Sequence, residues 1–372
     1  MIFKNAKVID SSFELKILDV EIEDGIIKNV AEQIPYTDAD MVVDCEGYTI
    51  IPGLIDIHIH GCMGFDASDG TREAIEEMAK FLLSKGVTTF CPTTMTQPVE
   101  NIEKAFLAIK DSIENPVEGA RVAGINMEGP FISAEKRGAQ KQEDILEADF
   151  ALFERLYNLS GKNIKLVDVA PEVPNGYEFI CKAKDLCRVS LAHTTGGYDD
   201  IKKAFEKGAS HITHLYNAMK GFSHREPGAV GAVFDTDKVS AEIICDGFHI
   251  HPAVLRSTFK LIADRLVIIS DSMRANGLPE GEISELGGQE VIVKDGKATL
   301  SDGTLAGSVT NIFSEIKNLV EYGVPFEAAV KAATINPAKV IGVDDKVGSI
   351  ENGKLADLLI LDENMDIVAV YH

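Results

Sequence analysis

The chain of 372 residues contains no tryptophan, and only 7% of its residues are aromatic. It also lacks any run of 18 apolar residues, so we expect no membrane-spanning helix. The first residues lead directly into strand-like sequence without the apolar core of a signal peptide. The absence of an apolar membrane span and of a signal-peptide core favours a cytoplasmic protein.

Paired cysteines are missing as well. No two cysteines form a Cys-x-x-Cys motif, and most of them lie in apolar, strand-like segments. They are Cys45, Cys62, Cys91, Cys181, Cys187 and Cys245. We therefore expect reduced thiols in the core of a cytoplasmic protein, with Cys62 acting as a small buried hydrophobic residue.

Positive charge is scarce. The chain has 36 Lys and Arg residues against 59 Asp and Glu residues, for a formal net charge of −23. Affinity for a phosphate backbone or an anionic lipid surface depends on Lys and Arg, so we expect no nucleic-acid or membrane partner. An anionic small molecule would need a local cationic or amide-lined pocket.

What the chain does contain is typical of a packed globular protein. Hydrophobic residues make up 45% of the sequence, charged residues 26%, and there are 31 glycines. The length suits one large domain with an accessory piece, or two domains.

The two ends of the chain share β character. Residues 1–51 are rich in β-branched residues, and Asp24-Gly25 between two apolar runs predicts a hairpin turn. Past Gly342 the β pattern returns, most clearly over residues 356–361. We predict that residues 1–51 and 342–372 together form a small, β-sandwich-like domain.

Residues 52–341 alternate short apolar strands with amphipathic helices. Thr71 is a plausible N-cap, apolar residues follow it at helical spacing, and Gly86 lies where that helix would end. Strands are predicted before His58 and at 87–91, 122–127, 164–169, 188–192, 211–213, 240–245 and 266–270. Eight such units predict an α/β fold of the TIM type, a (β/α)8 barrel, with a doubly wound sheet as the competing architecture. Glycine-rich β pieces at about 277–308 predict a β insertion after the eighth strand.

His58 and His60 end the first predicted barrel strand. Alternate side chains of a strand project from the same face, so the two imidazoles lie side by side. Paired imidazoles at a strand end are natural metal ligands.

Other predicted strands also end in residues that bind metals or move protons. The carboxyl ends of barrel strands meet on one face, where the chemistry of such barrels takes place. These residues are Glu128, His193, His214, Asp246 followed by His249, and Asp271. His211 could also be a ligand or a core histidine, and we assign it to the core because His214 is better placed at the strand end.

Each of these residues has a simpler explanation when it is taken alone. Glu128 could cap a turn, His193 could be a hydrogen-bonded core histidine, and Asp271 could be a helix N-cap. Because imidazoles and carboxylates recur at the same end of so many strands, we favour a metal site. Such ligands suit Zn²⁺ or Fe²⁺, with Mn²⁺, Co²⁺ or Ni²⁺ also possible.

With these motifs in place, the chain resembles the amidohydrolase superfamily, and within it the N-acetylglucosamine-6-phosphate deacetylases. The first-strand motif is shared across the superfamily, whereas 214–219, 225–228 and 304–308 are more specific to the deacetylases. The residues that carry the resemblance are 52–61, 127–131, 191–194, 214–219, 225–228, 246–249, 270–271 and 304–308.

The resemblance implies a metal-dependent deacetylase. Glu128, His193 and His214 would hold one divalent metal, and His58 and His60 permit a second one bridged through Glu128, so one or two ions per subunit are expected. Asp271 would act as general base and acid, and is also a candidate metal ligand.

The resemblance also implies how the substrate is held. The substrate would be an amino-sugar phosphate. Arg225 would bind its phosphate from the neighbouring subunit of a homodimer. The remaining substrate contacts would be Gln140, Asn217, Ala218, His249 and Leu305, where Gln140 replaces a histidine that the family often carries.

Two other functions remain open. A different amidohydrolase, such as a cyclic-amide hydrolase or a deaminase, would share the barrel and the metal. Some relatives have lost their ligands and serve as assembly proteins, but the intact ligand set of this chain argues against that reading.

Overall fold

The first part of the chain forms short β-strands, as its β-branched composition predicts. The structure, a computed structural model, describes residues 1–279, 281 and 283–372. The first strands are β1 (Ile2–Ile9), β2 (Leu15–Glu23), β3 (Ile26–Ala31), β4 (Val42–Asp44) and β5 (Thr49–Pro52).

Strands and helices then alternate. The strands of this region are β6 (Leu54–Ile59), β7 (Gly61–Cys62), β8 (Phe65–Asp66), β9 (Val87–Thr94), β10 (Arg121–Val122), β11 (Ile125–Met127), β12 (Ile164–Val169), β13 (Arg188–Leu191), β14 (His211–Ile212), β15 (Ser240–Ile243) and β16 (Leu266–Ile268). The helices are α1 (Arg72–Ser84), α2 (Val99–Glu114), α3 (Phe150–Leu159), α4 (Gly176–Ala183), α5 (Tyr198–Lys207), α6 (Gly228–Phe234) and α7 (Pro252–Ile262).

The last part of the chain returns from β to α and then to β structure. It contains β17 (Ile283–Leu286), β18 (Gln289–Lys294), β19 (Lys297–Thr299), α8 (Ile312–Glu321), α9 (Phe326–Ala333), α10 (Ile335–Ile341), β20 (Leu358–Leu361) and β21 (Ile367–Tyr371). Short 3-10 helices lie at Ala67–Asp69, Ala134–Lys136, Gln142–Asp144 and Ala263–Arg265.

A parallel barrel forms the centre of the molecule. Its strands pair in the order β6, β9, β11, β12, β13, β14, β15 and β16, and β10 pairs with another part of β9. The ring closes just beyond β16, where the Asp271 amide donates to the His58 carbonyl oxygen at 2.9 Å and the His60 amide donates to Ser272 at 2.9 Å. The predicted (β/α)8 fold is confirmed, and the doubly wound alternative is wrong.

Helix α1 shows how the sequence sets the helical layer. The Thr71 hydroxyl accepts a hydrogen bond from the Ala74 amide at 3.2 Å, as its N-cap role predicts. Gly86 follows the helix with a φ of +82°. A Cβ atom there would lie 2.4 Å from Leu359 Cδ2, so this position requires glycine for both its backbone angle and the close approach of β20.

The two chain ends pair in one small sheet. Its strand order is β21, β20, β5, β1, β2 and β3, and β4 pairs with β1. Phe3, Val20, Ile50 and Leu358 are buried in a core that belongs to this sheet. A β domain built from both ends is therefore confirmed, and we propose the predicted division into residues 1–51 with 342–372 and residues 52–341.

Strands β17–β19 form a three-stranded antiparallel sheet inside the predicted insertion at about 277–308, of which residues 280 and 282 lie outside the described residues. Leu286, Val291 and Ala298 bury one face of this sheet in a cluster that includes Met95 at the end of the second barrel strand. The insertion therefore lies over the carboxyl ends of the barrel strands. Across the described part of the chain, no helix combines the length and apolarity needed to cross a membrane.

Candidate active site

A cavity of about 250 Å³ opens at the carboxyl ends of the barrel strands. Most of the predicted site residues line it, together with residues of the insertion. The lining residues are His60, Met95, Glu128, Gly138, Ala139, Gln140, His193, His214, Asn217, Ala218, His249, Asp271, Leu286, Thr304, Leu305 and Gly307. The structure therefore brings together side chains that are separated by more than two hundred positions in the sequence.

Glu128, His193 and His214 form the first cluster at the floor of the cavity. Glu128 Oε1 lies 3.0 Å from His193 Nε2 and 3.2 Å from His214 Nε2, and the two nitrogens are 3.2 Å apart. All three side chains are buried, and one ligand atom from each lies within 4.8 Å of the others. The arrangement can hold a metal ion.

His58, His60 and Asp271 form the second cluster, directly beside the first. Asp271 Oδ1 lies 3.2 Å from His60 Nε2 and 3.5 Å from His58 Nε2. Glu128 reaches across to this cluster, with Oε2 3.4 Å from His60 Nε2 and Oε1 3.7 Å from His58 Nε2. Its carboxylate is therefore positioned between two neighbouring ligand groups.

Three of these residues have a strained backbone conformation. His193, His214 and Asp271 have φ angles of +45°, +30° and +46°, in the left-handed region that side chains seldom adopt. Each lies two or three residues after the end of a barrel strand, where the chain turns away from the ring. Such strain concentrates at functional sites because the surrounding fold must maintain it.

The ring nitrogens that face away from the cavity have their own partners. His60 Nδ1 lies 3.1 Å from the Thr93 carbonyl oxygen, and His193 Nδ1 lies 2.7 Å from that of Lys136. A carbonyl oxygen only accepts, so each Nδ1 carries a proton, and the neutral ring has its lone pair on Nε2, toward the cavity. This tautomer is the one that binds a metal.

The residues fit a divalent cation on one further observation. His58 Nε2 is buried, has no hydrogen-bond partner among the described residues, and lies between the carboxylates of Glu128 and Asp271. A buried imidazole nitrogen without a partner is costly unless something else satisfies it. Imidazole and carboxylate ligands of this kind suit zinc, iron and similar divalent ions.

The carboxylates of the site remain charged. Burial raises the pKa of Glu128, but hydrogen bonds with His193, His214 and His60 outweigh that effect and hold the pKa well below its usual range. Burial likewise raises the pKa of Asp271, whereas His60 and His58 lower it, and the net change is downward. Both carboxylates are therefore charged near neutral pH and can bind a cation.

One buried acid was not identified from the sequence. Glu242 lies in β15 with no exposed surface, and its Oε2 atom lies 2.9 Å from His58 Nδ1. Its Oε1 atom lies 3.2 Å from His211 Nε2, so the buried His211, which we assigned to the core, holds the carboxylate. A glutamate inside the apolar run 241–245 was the available signal.

His249 and Gln140 lie on the cavity wall, as the resemblance implies. His249 Nδ1 is 2.7 Å from Asp246 Oδ2. Asp246 therefore holds one ring nitrogen of His249, and the other nitrogen, Nε2, is available to a bound molecule. Gln140 Oε1 accepts a hydrogen bond from the Thr96 amide at 2.9 Å, so the amide group turns its NH₂ toward His193 Nε2, 3.5 Å away. Both side chains can therefore donate to a bound molecule.

Arg225 does not line the cavity of this single chain. It lies in the exposed segment 221–226, and no hydrogen bond or ion pair is found for its side chain within the described ranges. Its contribution from a neighbouring subunit remains a prediction.

Comparisons with known proteins agree with this architecture. Residues 49–371 match the model of the amidohydrolase family. The chain is 36% identical to the N-acetylglucosamine-6-phosphate deacetylase of Bacillus subtilis (strain 168), over 99% of this chain and 94% of that protein. It is 32% identical to the N-acetylgalactosamine-6-phosphate deacetylase of Escherichia coli O157:H7, over 95% of this chain and 92% of that protein.

A solved structure shows the same similarity in three dimensions. The crystal structure of N-acetylglucosamine-6-phosphate deacetylase from Pasteurella multocida superposes with a TM-score of 0.92 at 30% identity, over 100% of this chain and 97% of that one. The family predicted from the sequence motifs is thereby confirmed. The chain belongs to the amidohydrolase family, and within it to the deacetylases of N-acetylated amino-sugar 6-phosphates.

Proposed function

We propose that the chain hydrolyses the acetamide of N-acetylglucosamine 6-phosphate to glucosamine 6-phosphate and acetate. The observation that carries the proposal is the pair of ligand clusters sharing Glu128 at the floor of one cavity. The high similarity to proteins named as deacetylases of this substrate supports the choice of reaction.

The two clusters divide the metal-binding roles. Glu128, His193 and His214 would hold the first divalent ion, and His58, His60 and Asp271 the second, with Glu128 as the shared ligand. We propose Zn²⁺ or Fe²⁺, since the ligands are imidazoles and carboxylates without a thiolate. A bound ion of this kind lowers the pKa of water to about 7 and polarises the acetyl carbonyl group.

Asp271 moves the proton. Its carboxylate lines the cavity in its charged form, so it can take a proton from the attacking water and deliver it to the departing amine nitrogen. His249 would donate a hydrogen bond to the acetyl oxygen as negative charge develops there, because Asp246 fixes its opposite ring nitrogen.

The remaining wall of the cavity holds the sugar phosphate. Asn217 and Ala218 would bind the phosphate together with Arg225 from the partner of a homodimer, and Gln140 would donate to a sugar hydroxyl. Leu305 of the insertion would cover the sugar. A local set of donors is necessary because the chain as a whole, with a net charge of −23, repels anions.

A second substrate is favoured by one comparison. The similarity to the Escherichia coli N-acetylgalactosamine-6-phosphate deacetylase makes the galactosamine isomer a candidate, since the two sugars differ only at one hydroxyl group. The cytoplasmic location predicted from the cysteine pattern also stays a proposal, in keeping with six cysteines that are all free thiols.

An acetate-release assay tests the function. Purified protein loaded with Zn²⁺ or Fe²⁺ should release acetate from N-acetylglucosamine 6-phosphate with a higher kcat/KM than from the galactosamine isomer or from unphosphorylated N-acetylglucosamine. Dihydroorotate and hydantoin serve as controls for a cyclic-amide hydrolase. Turnover of either cyclic amide without acetate release from the sugar phosphates would overturn the proposal.

A further inference from the structure

Glu242 occupies an unusual position behind the two ligand clusters. It is fully buried in the barrel interior and contacts the side of His58 that faces away from the cavity, at 2.9 Å between Oε2 and Nδ1. The same oxygen accepts a hydrogen bond from the backbone amide of His214 at 3.3 Å. One carboxylate therefore touches a histidine of each cluster.

The other predicted histidine ligands lack such a partner. His60 and His193 are held by neutral backbone carbonyl groups. His214 Nδ1 has no hydrogen-bond partner among the described residues. Among the predicted histidine ligands, all of which lie in the described part of the chain, His58 is thus the one whose outer nitrogen is bonded to a carboxylate.

This difference has a chemical consequence for metal binding. A carboxylate that accepts the Nδ1 proton fixes the imidazole in the tautomer whose Nε2 lone pair faces the ion, and it makes that nitrogen more basic. A neutral carbonyl oxygen fixes the tautomer too, but it contributes less negative charge. His58 is therefore the strongest imidazole donor of the set.

Contacts with other protein side chains hold Glu242 in position. His211 Nε2 contacts its other oxygen at 3.2 Å, and His211 Nδ1 lies 2.7 Å from the Ser240 hydroxyl. Both His211 and Glu242 have no exposed surface. This chain of contacts aims the carboxylate at His58.

We infer that Glu242 is a positioning residue that acts through His58 and causes the second metal subsite, formed by His58, His60 and Asp271, to fill. The chain would then bind two ions per subunit under conditions in which a weaker Nε2 donor at His58 would allow only one ion to bind. The inference rests on the metal clusters of the proposed function, but it concerns ion stoichiometry and can fail independently of the deacetylase activity.

Metal titration of four proteins tests the inference. The unmodified chain, Glu242→Gln, His58→Asn and the double variant are stripped with a chelator and titrated with Zn²⁺ alone. Bound ions are counted by mass spectrometry after gel filtration. Glu242→Gln suits the test because the amide oxygen can still accept from His58 and its NH₂ can donate to His211, so the change removes the charge and keeps the contacts.

Glu315→Gln is the matched control. Glu315 in α8 is also a fully buried glutamate, and no hydrogen bond or ion pair between it and a predicted ligand is found in the described structure. The same substitution there removes a buried carboxyl that forms no hydrogen bond with a predicted ligand of the described site. Thermal melts of all variants report whether the fold is maintained.

The unmodified chain and Glu315→Gln should each bind two Zn²⁺ ions. Glu242→Gln should bind the second ion about 10–100-fold more weakly and the first with little change. The double variant should match His58→Asn, because the two residues act as one unit. The inference is overturned if the unmodified chain binds one ion, if Glu242→Gln binds both with unchanged affinity, or if Glu315→Gln has the same effect. Acetate release, measured separately, reports on the proposed function.

Discussion

Replacing Asp271 with asparagine removes the proposed proton carrier while preserving the local backbone. Asp271 has a φ of +46°, and its amide and carbonyl groups bond to His58 and Ser308. Asparagine adopts this left-handed conformation as readily as aspartate does, whereas alanine would add strain. The variant therefore isolates the loss of the carboxylate from a change in the strand-end geometry.

The expected loss follows from the surroundings. General acid–base catalysis by a positioned side chain contributes about 10²–10⁴-fold to rate, which is about 2.7–5.4 kcal/mol of barrier. Glu128, the other carboxylate on the cavity wall, already has both oxygens within 3.4 Å of imidazole nitrogens and cannot substitute for Asp271. We therefore expect kcat to fall at least about 100-fold.

The assay measures kcat for acetate release together with the metal content of the same preparation. Asp168→Asn is the control, because Asp168 is a buried carboxyl bonded to Thr213 Oγ1 at 3.0 Å and is not on the cavity wall. It should retain the kcat of the unmodified chain. An Asp271→Asn protein with an unchanged kcat would refute the reasoning, and a loss of both ions would show that Asp271 is needed as a ligand instead.

Three further predictions follow from the same structure. Arg225→Ala should raise KM for N-acetylglucosamine 6-phosphate and leave that for the unphosphorylated sugar unchanged, with Arg225→Lys intermediate; equal effects on both substrates would remove Arg225 from the phosphate site. In the metal-free protein burial lowers the pKa of His58, but neighbouring carboxylates outweigh burial and raise that pKa to about 10. Metal binding must displace this proton, so the apparent Zn²⁺ affinity should rise by about tenfold per pH unit for each proton displaced between pH 6.5 and 7.5 in competition titrations, and a flat profile would contradict this. Asp357→Asn should lower the free energy of unfolding by about 1–2 kcal/mol in urea titrations at pH 7, because it weakens contacts with Arg121, which is 39% exposed, and His372. Burial raises the pKa of Asp357 but His372 and Arg121 outweigh it and lower the pKa, so this contribution exists above the unfolded pKa and should vanish as the pH falls through the folded one.

The fold could be predicted from the sequence because its signals are local. The alternation of short apolar strands with amphipathic helices predicted the barrel. Thr71 and Gly86 correctly indicated the two ends of one helix. The candidate ligands followed from the topology, since the carboxyl ends of barrel strands must meet, and the family resemblance then assigned them to metal subsites. His58 and Glu128, seventy positions apart, could be grouped by this rule without any coordinates.

The contacts that could not be predicted from the sequence depend on strand register and on the paths of loops. Glu242 lies in the middle of an apolar strand, and only the strand register places its side chain against His58 rather than in the layer between strands and helices. The backbone partners of the ring nitrogens, such as the Lys136 carbonyl group, come from loops whose paths no periodicity describes. The outer contacts of a metal site are therefore harder to predict than its ligands.

The strained backbone of three site residues also explains why the barrel requires a well-packed core. His193, His214 and Asp271 each adopt a positive φ, at a cost of about 1–3 kcal/mol per residue. These residues follow strands in which every side chain except that of Arg188 is buried, so the packed core offsets the strain at the strand ends. The predicted ligands are consequently held in position by the fold itself. A site preorganised in this way can lose its metal without losing its fold, unlike a small zinc domain that folds only around its ion.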